Sequence, residues 1–211
     1  MSKQPIFITG IGTGIGKTLV SAIITEAIEA DYWKPIQAGF EESTDALTVQ
    51  NLISNAVSTI HPELYKLQLA ASPHLAAAEE SIEIKLDAIA QQVPIGHRPL
   101  IIEGAGGIMV PLNNSEFVID LILKLKAKLI IVSRNYLGSI NHSLLTAEIC
   151  KQRNLDVLGW VFNDQYLNYQ QEIVQWSGFP CLGTIPYAPT IDKAFVQQQA
   201  ITFRSSFQSL I

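Results

Sequence analysis

The chain has 211 residues, 48% of them apolar and 16% charged, which allows a sizeable buried core and excludes the compositions that stay disordered. A net charge of −5 excludes a broad basic face built to neutralise nucleic-acid phosphates. No apolar run approaches the roughly 18 residues of a membrane span, so a single domain over 1–211 is expected, with neither nucleic acid nor membrane as partner.

Met1-Ser2-Lys3-Gln4-Pro5 lacks the apolar core of a signal peptide, which points to the cytoplasm. The apolar run at 6–8 predicts a first strand, and 17–30 the helix after it. A strand at 32–33 and a helix at 45–54 follow. Segment 58–98 is cut by Pro62, Pro73, Pro94, Gly96 and Pro99 into short pieces that cover one edge, with a helix at 86–93 among them. Beyond it come strands at 100–102, 129–132, 157–162 and 181–185, separated by helices at 117–125, 139–153 and 170–176. Continuous apolar runs are those of strands covered on both faces, and their alternation with helices predicts an α/β, three-layer fold with a mostly parallel central sheet. Cys150 and Cys181 lie far apart without a CxxC pair, which excludes a disulfide framework or zinc site; both read as buried apolar residues.

In such a sheet ligands collect beyond the carboxyl ends of the strands. Gly10-Ile11-Gly12-Thr13-Gly14-Ile15-Gly16-Lys17-Thr18 falls there, between the first strand and first helix. Gly16-Lys17-Thr18 closes the phosphate-loop pattern, although Gly10 stands one residue ahead of the strict first glycine. Glycine-rich backbone turns its N–H groups inward, the helix presents its N-terminus, and Lys17 and Thr18 reach phosphate and metal. The expected ligand is a nucleoside triphosphate, ATP with a magnesium ion. A dinucleotide fingerprint fits less well, because it leaves Lys17-Thr18 without a role.

Magnesium keeps an octahedral oxygen shell, so carboxylates are needed beside Thr18. Glu103 ends the run at 100–102 and precedes Gly104-Ala105-Gly106-Gly107; Asp45 follows Ser43-Thr44, where it also reads as an ordinary helix start. Lys34 leaves the second strand ahead of Pro35, placed to hold a phosphate or a developing anion.

At this point the residues resemble the dethiobiotin synthetase family of the P-loop NTPase superfamily. The resemblance runs from end to end: Gly16-Lys17-Thr18, Lys34-Pro35, Thr44-Asp45-Ala46, Ser72-Pro73-His74, Glu103-Gly104-Ala105-Gly106-Gly107, Gly138, Ile140-Asn141-His142, Gly159-Trp160-Val161, Asn163-Asp164 and Gly183-Thr184-Ile185-Pro186. It implies ATP-driven closure of 7,8-diaminononanoate with CO2, through a carbamate and its phosphoryl anhydride, to dethiobiotin, ADP and phosphate.

Carried over by position, Lys34 and Lys17 would be catalytic, stabilising the carbamate and the transferring phosphoryl group, and Thr18, Asp45 and Glu103 would hold magnesium. Gly12, Thr13, Gly14, Ile15, Gly16, Lys17, Thr18 and Leu19 would cradle the phosphates, with Gly104, Ala105 and Gly106 lining the nucleotide site. Asn163 and Asp164 would lie at the adenine, and Pro186, Tyr187 and Ala188 would close around it. The implied assembly is a homodimer in which Leu137, Gly138, Ser139, Ile140 and Asn141 bind the substrate carboxylate across the interface. His74 receives no role. Two positions depart from the family's pattern: Ile11-Gly12 replaces a Thr-Asp pair, and Ala38 replaces a hydroxyl residue whose substrate contact Gln37 or backbone groups would have to supply.

Two other classes share the phosphate loop. A signalling GTPase requires an N-K-x-D that is absent here, and the D-x-x-G at 156–159 leads into a strand rather than a switch. A partitioning-type P-loop ATPase, acting by nucleotide-dependent dimerisation, is the closer rival.

Overall fold

The computed structural model describes residues 4–40, 43–164 and 167–208. In chain order the elements are β1 (Ile6–Gly10), α1 (Lys17–Ile28), β2 (Asp31–Trp33), β3 (Ile36–Ala38), α2 (Asp45–Leu52), β4 (Ile60–His61), β5 (Tyr65–Leu67), α3 (Pro73–Glu79), α4 (Leu86–Gln91), β6 (Leu100–Gly107), α5 (Val118–Leu125), β7 (Lys128–Arg134), α6 (Ser139–Gln152), β8 (Val157–Asn163), α7 (Gln170–Ser177), β9 (Cys181–Ile185) and α8 (Lys193–Gln208).

Seven strands form one sheet in the order β4-β2-β6-β1-β7-β8-β9, with every pairing parallel. The period of two along each strand divides the core between its faces. Phe7, Ile102, Leu129, Ile131, Trp160 and Phe162 pack on one side with Ala76, Ile89, Ile119, Ala147 and Ile173 of α3 to α7. Ile6, Ile8, Ile101, Ile130, Val132 and Val161 pack on the other with Ile23, Val49 and Val196 of α1, α2 and α8. Three layers result, as the apolar runs predict. Trp160, fully buried, donates its indole N–H to Ser177 Oγ at 2.9 Å, so its polar atom is not left stranded in the core.

All six predicted strands and all six predicted helices are present, with ends shifted by a few residues. The edge segment 58–98 contains β4, which pairs with β2 as the sheet's outer strand, together with β5, α3 and α4. β3 and β5 form a separate two-stranded ladder beside the carboxyl end of β2. Cys150 is buried as expected, but Cys181 is exposed, because it opens the sheet's other edge strand, where only one side is paired. No helix among the described residues is long and apolar enough to cross a membrane.

Candidate functional site

The loop from β1 to α1 is held from three directions. Gly10 allows Ile15 to fold back over it, since an added Cβ would lie 2.1 Å from Ile15 Cδ1; this contact gives the early glycine its use. Lys17 donates from Nζ to the Gly12 carbonyl at 2.8 Å, closing the loop into a ring. Asn163, at the end of β8, donates from Nδ2 to the Ile15 carbonyl at 3.1 Å. Gly16 takes φ 94°, and an added Cβ would lie 1.9 Å from Asn163 Nδ2. Gly16→Ala is therefore expected to combine about 1–3 kcal/mol of backbone strain with a displaced Asn163, and to weaken nucleotide binding at least about tenfold. Titration with a fluorescent ATP analogue checks this; unchanged affinity would show that the loop tolerates a side chain.

Burial strips water from the Lys17 ammonium and lowers its pKa to about 8; Glu103 and Asp45 pull it up, and Lys34 repels it. The sign follows from linkage: with the folded value below the unfolded one, the unfolded chain binds more protons above pH 8, so burial of Lys17 costs less stability as pH rises through that window. Without nucleotide, acylation of Lys17 is expected to reach half its limiting rate near pH 8 and to be suppressed by ATP. Peptide mass analysis after pulsed labelling reads this, and a midpoint at the ordinary lysine value would show that the ammonium is hydrated.

Opposite the loop, four elements bring their polar groups to one point. Thr18 Oγ1 of α1 lies 3.0 Å from Asp45 Oδ1 at the start of α2 and 2.9 Å from Glu103 Oε1 in β6. Lys34 Nζ, at the end of β2, lies 2.6 Å from Asp45 Oδ2 and 3.1 Å from Glu103 Oε1. Burial alone would lower the Lys34 ammonium, but the two carboxylates outweigh it and hold its pKa above the ordinary value. Glu103 is 1% exposed and accepts a third bond, from the Tyr32 hydroxyl to Oε2 at 2.9 Å. Burial first, then the Glu103 charge, holds that phenol well above its usual range. Three oxygens from Thr18, Asp45 and Glu103 thus converge, a hard-ligand set that could hold a divalent cation otherwise coordinated by water and phosphate.

These groups line a cavity of about 730 Å³ together with Thr13, Gly14, Gly16, Lys17, Ala105, Gly106 and Ala38. Gly104 lies below its wall, because a Cβ there would meet the Phe7 ring at 2.6 Å. Leu19 is half-buried in the first turn of α1. Gln37 spends both ends of its amide on the chain, donating to the Gly39 carbonyl at 2.8 Å and accepting from the Asp45 amide at 3.1 Å. Its bond to Asp45 fixes the first residue of α2, and the Thr44 side chain caps the same helix by accepting from Leu47 N.

The remaining predicted residues lie at the carboxyl edge of the sheet but not in this cavity. Asp164 accepts from Arg134 Nε and Nη2 at 3.2 and 3.0 Å, while Arg134 Nη1 reaches the Gly14 carbonyl at 3.5 Å. Pro186, Tyr187 and Ala188 follow β9, with Tyr187 71% exposed. Leu137, Gly138, Ser139, Ile140 and Asn141 form the turn from β7 into α6, with Leu137 90% exposed at its tip. Sequence alone does not single out Tyr32 or Arg134: a tyrosine in a short strand reads as core, and an arginine after a strand reads as surface.

Solved structures of similar fold include a Pyrococcus furiosus cell division ATPase MinD, with a TM-score of 0.66 and 13% identity over 99% of this chain and 100% of that one. A ParA family ATPase from Chlorobium tepidum gives a TM-score of 0.54 with 14% identity, over 98% of this chain and 91% of that one. A family model described as an AAA domain matches residues 4–194. Fold and phosphate loop together define an α/β protein of the P-loop NTPase class. The chain is 49% identical over 197 residues to an ATP-dependent dethiobiotin synthetase BioD of Cytophaga hutchinsonii, covering 92% of this chain and 94% of the relative. A protein of the same name from Rhodopseudomonas palustris is 43% identical over 190 residues, covering 90% and 89%. The chain belongs to the ATP-dependent dethiobiotin synthetase family, and is therefore a ligase.

Proposed function

We propose that the chain closes 7,8-diaminononanoate with CO2 to dethiobiotin, using ATP and magnesium and releasing ADP and phosphate. The observation that carries this reading is the buried Lys34, clamped by Asp45 and Glu103 on the cavity wall facing the phosphate loop of a family member. Gly12 to Leu19 cradle the triphosphate. Thr18, Asp45 and Glu103 would hold magnesium, which when bound offsets phosphate charge. Lys34 stays protonated and orients the carbamate oxygens toward the γ-phosphoryl group; Lys17 meets the same charge from the loop. With little covalent chemistry left for the protein, positioning and charge stabilisation do most of the catalysis.

Asn163, bonded to the loop at Ile15, and Asp164 would meet the nucleoside, and the exposed Tyr187, two residues beyond the Ile185 that pairs with Asn163, would close over the base. Ala38 supplies no hydroxyl, and Gln37 and the Gly39 backbone are committed to the chain, so the contact there falls to the backbone of Ala38. Leu137 to Asn141 lie outside the cavity of one chain, and the exposed Leu137 suits a segment that serves a partner subunit in a cytoplasmic homodimer. ADP release measured with ATP, magnesium and bicarbonate is expected to rise sharply when the diamine is added. Turnover indifferent to the diamine would end the ligase reading and favour the partitioning-type ATPase.

A further inference from the structure

We propose that Ser72 and His74 form the proton-accepting pair for the diamine, an assignment that rests on the ligase reading of the same cavity. Ser72 lines the cavity with Lys34, Asp45 and Glu103. Its Oγ lies 3.0 Å from His74 Nδ1. A serine at a helix N-cap ordinarily accepts a backbone N–H from the first turn. At the start of α3, Ser72 makes no such bond, and its hydroxyl is turned to the imidazole instead. The amide of His74 donates to the Pro111 carbonyl at 3.4 Å, which ties the residue to the loop following β6.

Carbamate formation needs a group of this kind. An alkylamine is an ammonium near neutral pH, and its nitrogen attacks CO2 only after losing a proton. A second proton leaves the nitrogen as the C–N bond forms, giving R–NH–COO⁻ and two protons from R–NH3⁺ and CO2. The other ionisable groups lining the cavity are engaged: Lys34 between two carboxylates, those carboxylates with Lys34 and Thr18, and Lys17 with the Gly12 carbonyl. Ser72 Oγ takes the ammonium proton while passing its own to Nδ1, and the half-buried imidazole hands that proton to solvent before the next transfer. An imidazole ring nitrogen can accept a proton at one position and release one from the other, as such a relay requires.

The charged groups on the elements around His74 are turned to other partners. Glu80, just after α3, accepts from the Gln68 amide, Lys66 of β5 lies over the Phe40 ring, and Glu116 beyond Pro111 accepts from Asn113. Glu79 is exposed at the end of α3. Among the described residues none forms an ion pair with His74.

The test compares wild type, Ser72→Ala and His74→Ala for diamine-dependent ADP release across pH, with ATP-analogue affinity as the check on folding. Both variants are expected to lose at least about tenfold in kcat/KM for the diamine near neutral pH. They should recover toward wild type in alkaline buffer, where free amine is abundant, and keep their ATP affinity. Added imidazole is expected to restore part of the His74→Ala activity. Losses equal at every pH, or a wild-type pH profile in both variants, would overturn the pair. Wild-type protein without diamine-dependent turnover would instead remove the ligase reading, and this assignment with it.

Discussion

Glu103→Ala is expected to destabilise the chain by about 3–5 kcal/mol, the cost of breaking a buried ion pair by removing one partner. Glu103 is 1% exposed and accepts from Thr18, Tyr32 and Lys34, and only Asp45 would remain to balance the Lys34 charge. Asp45 cannot take over that task, since its side chain is 33% exposed and its charge is partly screened by solvent. The Tyr32 hydroxyl would also lose its partner inside the core. Urea unfolding followed by tryptophan fluorescence reads the loss. Adding Lys34→Met should recover part of it, because the stranded charge is then gone. A loss below about 1 kcal/mol would place the network among solvent-screened pairs.

The central sheet was legible because parallel strands covered on both faces are written as unbroken apolar runs, and those at 6–8, 100–102, 129–132 and 157–162 could hardly be anything else. Apart from β2, shorter strands are not legible in this way. β4 has only two residues, Ile60 and His61, and β3 and β5 have three each, too few to show a period. α3 is hidden for a specific reason: Pro73 reads as a breaker, yet proline is well suited to the first helical turn, which is where it stands. The Gln-rich surface of α8 hides it in the sequence. Its buried Val196, Ala200, Phe203 and Phe207 do recur at helical spacing and could have revealed it.

The site was legible in its parts more than in its connections. Thr18, Lys34, Asp45 and Glu103 could each be singled out as polar residues at strand or helix ends. Their meeting within hydrogen-bond distance depends on the order of strands in the sheet, which sets β2 beside β6 and β6 beside β1. No local pattern encodes that order. Nor does one encode Asn163 against Gly16, a contact between residues 147 positions apart that explains why the loop's last glycine admits no side chain.

Lys34→Gln is expected to reduce diamine-dependent turnover by about 10²–10³, the scale on which removal of one charge-stabilising donor acts, while leaving ATP affinity nearly unchanged. The geometry separates the two effects. Lys17 closes the phosphate loop through the Gly12 carbonyl, whereas Lys34 is held across the cavity by Asp45 and Glu103 and makes no hydrogen bond to the loop among the described residues. Removing an interaction formed only in the transition state lowers kcat and kcat/KM alike, and loss of a donor set opposite the cradle should behave in that way. Lys34→Arg is not expected to restore activity, because a planar fork cannot occupy the compact position between Asp45 Oδ2 at 2.6 Å and Glu103 Oε1 at 3.1 Å. Assays belong well below the variant's melting temperature, since the substitution leaves two carboxylates facing each other. Equal losses in turnover and ATP affinity would make Lys34 a ground-state contact of the nucleotide instead.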